Sequence, residues 1–122
     1  MTSEVFIASG ARTPIGSFMG NLNSFSAPEL AAAAIQKTLD ESSIEADQID
    51  EVLIGNVVSA GLKQAPARQA MRLAGIPDQC GATTINKVCG SGMKATMLAF
   101  DLIRSGSADT VLSGGMESMS NA

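Results

Sequence analysis

The stretch Val88-Cys89-Gly90-Ser91-Gly92-Met93-Lys94-Ala95 decides how this chain is read. Before it, Ala82–Ile85 reads as a short strand. After it, Met93, Ala95, Met97, Leu98, Ala99, Phe100, Leu102 and Ile103 leave a helix with almost no polar face, the pattern of a buried helix. The stretch is therefore a strand-to-helix turn carrying one thiol. A thiol at a helix N-terminus meets unpaired backbone N–H groups and the positive end of the macrodipole, and both favour thiolate over thiol. Gly90 and Gly92 remove side chains from the first turn, so a substrate carbonyl can approach the backbone donors. A nucleophile with oxyanion donors beside it is a site for acyl transfer.

Two other readings fit the same residues. A cysteine in apolar surroundings is more often a small core residue than a nucleophile. Gly90 to Ala95 also satisfies G-x-G-x-x-A, the dinucleotide-binding turn, between a strand and a helix. That fingerprint wants an acidic residue about 20 positions on, at the far end of the next strand. Asp109 has the spacing but precedes the strand Thr110–Ser113, and Glu117 follows that strand but is too distant in sequence. The nucleotide reading is the weaker one.

Outward from the turn, the order is β-α-β-α-β-α-β. Glu4–Ser9 contains a continuous apolar run, as in strands buried on both faces. Residues 10–25 read as a loop. Ser26-Ala27-Pro28-Glu29 is a capping box with Pro in the first turn, and the helix it opens ends in the polar stretch Asp40–Ser43. Glu51–Ser59 is the second strand, interrupted by Gly55, and Ala65–Ala74 the second helix, with Pro66 near its start and Gly75 after its end. The third helix opens at Cys89 or Gly90 and runs to Ser105; the strand Thr110–Ser113 follows, and Gly114-Gly115 begins a tail. This order predicts a mostly parallel α/β sheet with helices on both faces and a buried apolar helix after Cys89. Ligands on such sheets bind outside the carboxyl ends of the strands, where Cys89 falls.

The 122 residues suit one domain with a real core. Hydrophobic residues make up 45% but aromatics only 3%, so Ala, Val, Ile, Leu and seven Met must build that core. A net charge of −4 without a run of Lys or Arg argues against nucleic acid and anionic membranes as partners. No apolar stretch approaches the ~20 residues that span a bilayer, and no secretory signal is visible. Two cysteines without a C-x-x-C pattern give neither a disulfide framework nor a redox pair, which makes a reducing cytoplasm the expected location. The chain has no histidine. A metal site is not expected, and a base that activates Cys89 must come from elsewhere.

Several segments together resemble the thiolase family, most closely its bacterial acetyl-CoA acetyltransferases. Ala11-Arg12-Thr13-Pro14-Ile15-Gly16 is similar to the family's opening signature. Ile54-Gly55-Asn56-Val57 and Gln64-Ala65-Pro66-Ala67-Arg68-Gln69 fall where similar segments occur. Asn86-Lys87-Val88-Cys89-Gly90-Ser91-Gly92-Met93-Lys94 resembles the motif around the acylated cysteine, and Gly114-Gly115-Met116-Glu117-Ser118-Met119-Ser120 the segment leading into the family's loop domain. The resemblance implies that residues 1–122 are the N-terminal thiolase domain, incomplete, with the loop domain and C-terminal half absent. It implies that Cys89 is the nucleophile and that its backbone N–H helps bind the oxyanion.

It further implies ping-pong Claisen chemistry. Cys89 takes an acetyl group from acetyl-CoA, and the carbanion of a second acetyl-CoA attacks the thioester to release acetoacetyl-CoA. Coenzyme A is then a substrate, and no bound cofactor or metal is implied. The family's His in Gly-His-Pro, Asn in Asn-Glu-Ala-Phe and second catalytic Cys do not occur in this sequence. Cys80, in a loop before a strand and without a matching motif, is not that second Cys. The expected partners are acetyl-CoA or CoA, a C-terminal thiolase half, and a second copy in a homodimer or homotetramer. The chain alone is expected to be inactive. The alternatives are a 3-ketoacyl-CoA thiolase of broader chain length and a non-catalytic α/β binding or dimerisation module.

Overall fold

Helix α1, Ala27–Ser42, starts where its capping box predicts. Ser26 Oγ accepts the Glu29 N–H at 3.3 Å and Glu29 Oε1 accepts the Ser26 N–H at 2.9 Å. Those bonds hold the Glu29 carboxyl below its usual range. The helix stops at Ser43, whose φ of 61° is left-handed. Helix α2, Pro66–Leu73, has Ala65 in the left-handed region at its N-cap, and its first free donor is met from another element: Ala67 N–H donates to Thr84 Oγ1 at 3.0 Å. The computed structural model describes residues 4–122.

Three strands, β1 (Glu51–Gly55), β2 (Gly81–Ile85) and β3 (Val111–Gly115), form a parallel sheet in the order β2-β1-β3. The register sets Gly55 opposite both Ile85 and Gly115, so all three strands end level. The central strand divides its side chains between two cores. Val52 and Ile54 join Ile35 of α1 and Met71 of α2, whereas Leu53 meets Ala95 and Ala99 of α3, Ser91–Arg104. Helices cover both faces, as the sequence predicts.

The run Glu4–Ser9 is not a strand. It carries no ladder; Phe6 and Ile7 are exposed, and Ser9 Oγ donates to Thr38 O. A cavity of about 470 Å³ takes its walls from Val5–Ser9 and from Val111–Ser113. An apolar run becomes a strand only where a neighbour supplies hydrogen bonds ~4.8 Å away; β3 is an edge strand in this sheet, but the run stands across the cavity from it. The predicted Glu51–Ser59 ends at Gly55. Asn56 N–H still donates to Ile85 O, but the next two N–H groups, of Val57 and Val58, turn to the Glu117 carboxylate. Gly114 and Gly115 belong to β3 rather than to a tail.

Helix α3 is covered on one side. Ser91, Ala95 and Ala99 are buried, while Met93 is 74% exposed and Met97 and Phe100 stand open beside it. A single sheet face covers one stripe of a helix, and the rest of this apolar surface has no cover among the described residues.

Glycine fixes how closely α3 sits on the sheet. A Cβ on Gly55 would lie 2.6 Å from both Gly92 N and Ser91 C, and one on Gly115 would lie 3.3 Å from Gly92 Cα. The ends of β1 and β3 therefore touch the backbone of the helix start. Gly55→Ala should destabilise the chain by about 1–3 kcal/mol, the scale of forced overpacking. Gly10→Ala, whose Cβ would meet nothing within 4 Å, should leave it unchanged. Denaturant unfolding of both variants distinguishes these outcomes.

Candidate active site

Between β2 and α3 the chain turns in five residues, and side chains hold the turn. Asn86 Oδ1 accepts the Val88 N–H at 3.0 Å. Ser91 Oγ, in a residue only 4% exposed, accepts the Lys87 N–H at 2.7 Å and donates to Val88 O at 2.6 Å. Gly90 N–H donates to Lys87 O and Ser91 N–H to Val88 O. Within this brace Val88 has φ = 50°, a left-handed conformation that is costly for a β-branched residue. Such strain persists where the surroundings over-determine it, and it concentrates at functional sites. The sharp turn carries Cys89 to the surface, exposed and unpaired in any disulfide.

Cys89 opens on a cavity of about 510 Å³ at the carboxyl ends of β1 and β3. Val57, Val58, Val88, Met116 and Met119 make most of its wall apolar, and Glu117 is on its border. The two glycines of the turn have different surroundings. At Gly90 an added Cβ would meet only Lys87 O, at an ordinary 3.6 Å. Gly92 instead packs on Gly115, with an added Cβ 3.6 Å from its Cα, so its missing side chain serves helix–sheet contact.

Glu117 is fully engaged. Its carboxylate accepts from Asn56 Nδ2 at 2.8 Å, Val58 N at 2.8 Å and Val57 N at 3.1 Å. A ribose hydroxyl would have to displace these donors, and Asp109, at the amino end of β3, gives its N–H to Asp50 on the side of the sheet away from Cys89. Neither acidic residue serves a dinucleotide turn here.

Cys80 is buried, with Sγ directed at Gly81 O at 3.4 Å. Burial pushes its thiol above the ordinary 9.0, and the nearby Glu51 and Asp50 carboxylates push the same way. Among the described residues no group of three His, Cys, Asp or Glu is arranged to hold a metal ion. No helix among them is long and apolar enough to cross a membrane.

The site brings together three segments far apart in sequence: the Cys89 turn, Asn56–Val58 after β1 and Met116–Met119 after β3. The bracing role of Ser91 and the links of Glu117 to residues 56–58 were not legible in the sequence. Both lie in motifs quoted above, but their partners are set by tertiary contact.

This assembly, a cysteine on a strained turn at the carboxyl ends of a parallel sheet, defines an α/β protein with an exposed thiol. Residues 5–122 match the family model described as "Thiolase, N-terminal domain". The chain belongs to the thiolase family. It is 50% identical over 122 residues to an acetyl-CoA acetyltransferase of Schizosaccharomyces pombe, covering 100% of this chain and 31% of that protein. It is 48% identical over 119 residues to an acetyl-CoA acetyltransferase of Pseudomonas aeruginosa, covering 98% and 30%. The structure superposes with a TM-score of 0.94 on an Ascaris suum thiolase, Acat5, solved in complex with coenzyme A, at 42% identity over 96% of this chain and 31% of that one. The chain thus spans about three-tenths of the length of these relatives.

Exposure and burial predict the order of thiol modification. At neutral pH iodoacetamide should modify Cys89 first, because Cys80 is both covered and held protonated beyond its ordinary range. Peptide mapping of the alkylated chain reads the order; Cys80 labelled first would reverse it.

Proposed function

We propose that this chain is the nucleophile-bearing part of an acetyl-CoA acetyltransferase. The observation that carries the proposal is the exposed Cys89 on its strained turn, opening on an apolar cavity. The names of the relatives supply the substrate class, and the coenzyme A complex of the Ascaris thiolase supports coenzyme A as the carrier.

In the proposed step the Cys89 thiolate attacks the acetyl carbonyl carbon of acetyl-CoA. The carbonyl electron pair moves onto oxygen, where the Cys89 N–H donates to the oxyanion. Collapse of the tetrahedral adduct breaks the bond to the CoA sulfur, which leaves as a thiolate and takes up a proton. Cys89 is left as a thioester, whose carbonyl stays electrophilic. A second acetyl-CoA then loses a methyl proton, its carbanion bonds to the Cys89-bound carbonyl carbon, and the Cys89 thiolate departs as acetoacetyl-CoA forms. With no histidine in the chain, the base for these steps comes from a C-terminal thiolase half, in the same polypeptide or a companion one. The completed enzyme is proposed to be a homodimer or homotetramer. A reducing compartment such as the cytoplasm suits its exposed thiol.

Incubation of the completed enzyme with radiolabelled acetyl-CoA should leave label on the Cys89 peptide. Cys89→Ser keeps the shape of the side chain but not a thiolate, and should lose label and at least ~10³-fold in turnover. The 122-residue chain alone should not turn over acetoacetyl-CoA and CoA. Label on Cys80, or none on a folded wild type, would overturn the proposal and favour a non-catalytic module.

A further inference from the structure

Glu117 takes no part in the chemistry proposed above, yet its carboxylate joins two walls of the cavity. It accepts three N–H groups from residues 56–58, roughly 60 positions earlier in the chain. The amide it grips is itself committed: Asn56 is 3% exposed and also donates to Met116 O at 3.2 Å. Asn56 Oδ1 is left buried without a partner. A buried orphan acceptor in an otherwise satisfied network calls for an explanation, and here the amide is turned so that both N–H groups serve the far segment. The sheet does not depend on this clamp for its alignment. The β1–β3 ladder already runs to Gly55 and Gly115, and Met116 N–H extends it to Gly55 O. Beyond that point the clamp fixes how Val57–Val58 and Met116–Glu117 stand apart, and these residues face Cys89 across the cavity.

We infer that Glu117 is a positioning residue for acyl transfer, its carboxylate setting the cavity width at which an acyl carbonyl meets Cys89. The inference rests on Cys89 being the acylated thiol. Glutamine at 117 has nearly the same shape and its carbonyl can stand where Oε1 does, but the charge is gone and an amide nitrogen replaces Oε2, so the Val57 N–H, 3.1 Å away, meets a donor and the clamp loosens.

The test measures two rates at Cys89 in the completed enzyme: acetylation by acetyl-CoA, which needs a placed carbonyl, and alkylation by iodoacetamide, which needs only an accessible thiol. In Glu117→Gln, acetylation should slow about 10²-fold, the scale of a small misplacement of reacting groups, with alkylation within about twofold of wild type. Glu117→Asp keeps the charge on a shorter arm and should recover part of the loss; it carries the comparison if the Gln variant does not fold. Acetylation unchanged in a folded Glu117 variant overturns the inference, as does a parallel fall in both rates. A wild type that is alkylated but never acetylated at Cys89 overturns the proposed function, and this inference with it.

Discussion

The contact between the Gly55 backbone and the first residues of α3 is the constraint on which the remaining structure depends. Parallel strands ending level produce a flat rim, and a helix can start on that rim only if no side chain intervenes. Gly55 and Gly115 clear the strand ends, and Gly92 clears the helix. This closeness gives the turn between β2 and α3 very little length. The strain at Val88 and the outward projection of Cys89 follow from it. Ser91 then supports the arrangement by occupying, with one hydroxyl, a donor and an acceptor that the tight turn leaves facing inward.

The division of labour between the two sheet faces follows from the same geometry. The α1–α2 face holds the larger core, with Ile35, Val52, Ile54 and Met71 closely buried. The α3 face holds a small one built on Leu53, Ala95 and Ala99. Small residues let α3 lie near the sheet, and the nucleophile turn benefits, because a helix held at short range cannot rock its first turn freely. The cost is an apolar outer face, Met93, Met97 and Phe100, that this chain does not cover.

Local signals were legible in the sequence and long-range ones were not. The capping box at Ser26 and Glu29 specifies a helix start within four residues, and α1 begins there. The apolar run at Glu4–Ser9 specifies an affinity for burial but names no partner, so its predicted strand does not form. The end of β1 at Gly55 was hidden for the same reason, since the groups that end it belong to Glu117. At the site, the position of Cys89 on a strand-to-helix turn was readable from the pattern around it. The packing role of Gly92 was not, because it depends on Gly115 arriving from another strand.

The opening loop has a consequence for the timing of folding. Met19 N–H donates to Ser120 Oγ at 2.7 Å, across 101 residues, and Asn121 Nδ2 donates to Asn23 O and Phe25 O. These bonds cannot form until the ribosome has released the segment after β3. At ordinary synthesis rates the opening loop waits about 5–20 s for its partners. During that interval the loop lacks the bonds that fix its course, while Phe18, Met19 and Phe25 stand exposed before and after those bonds form.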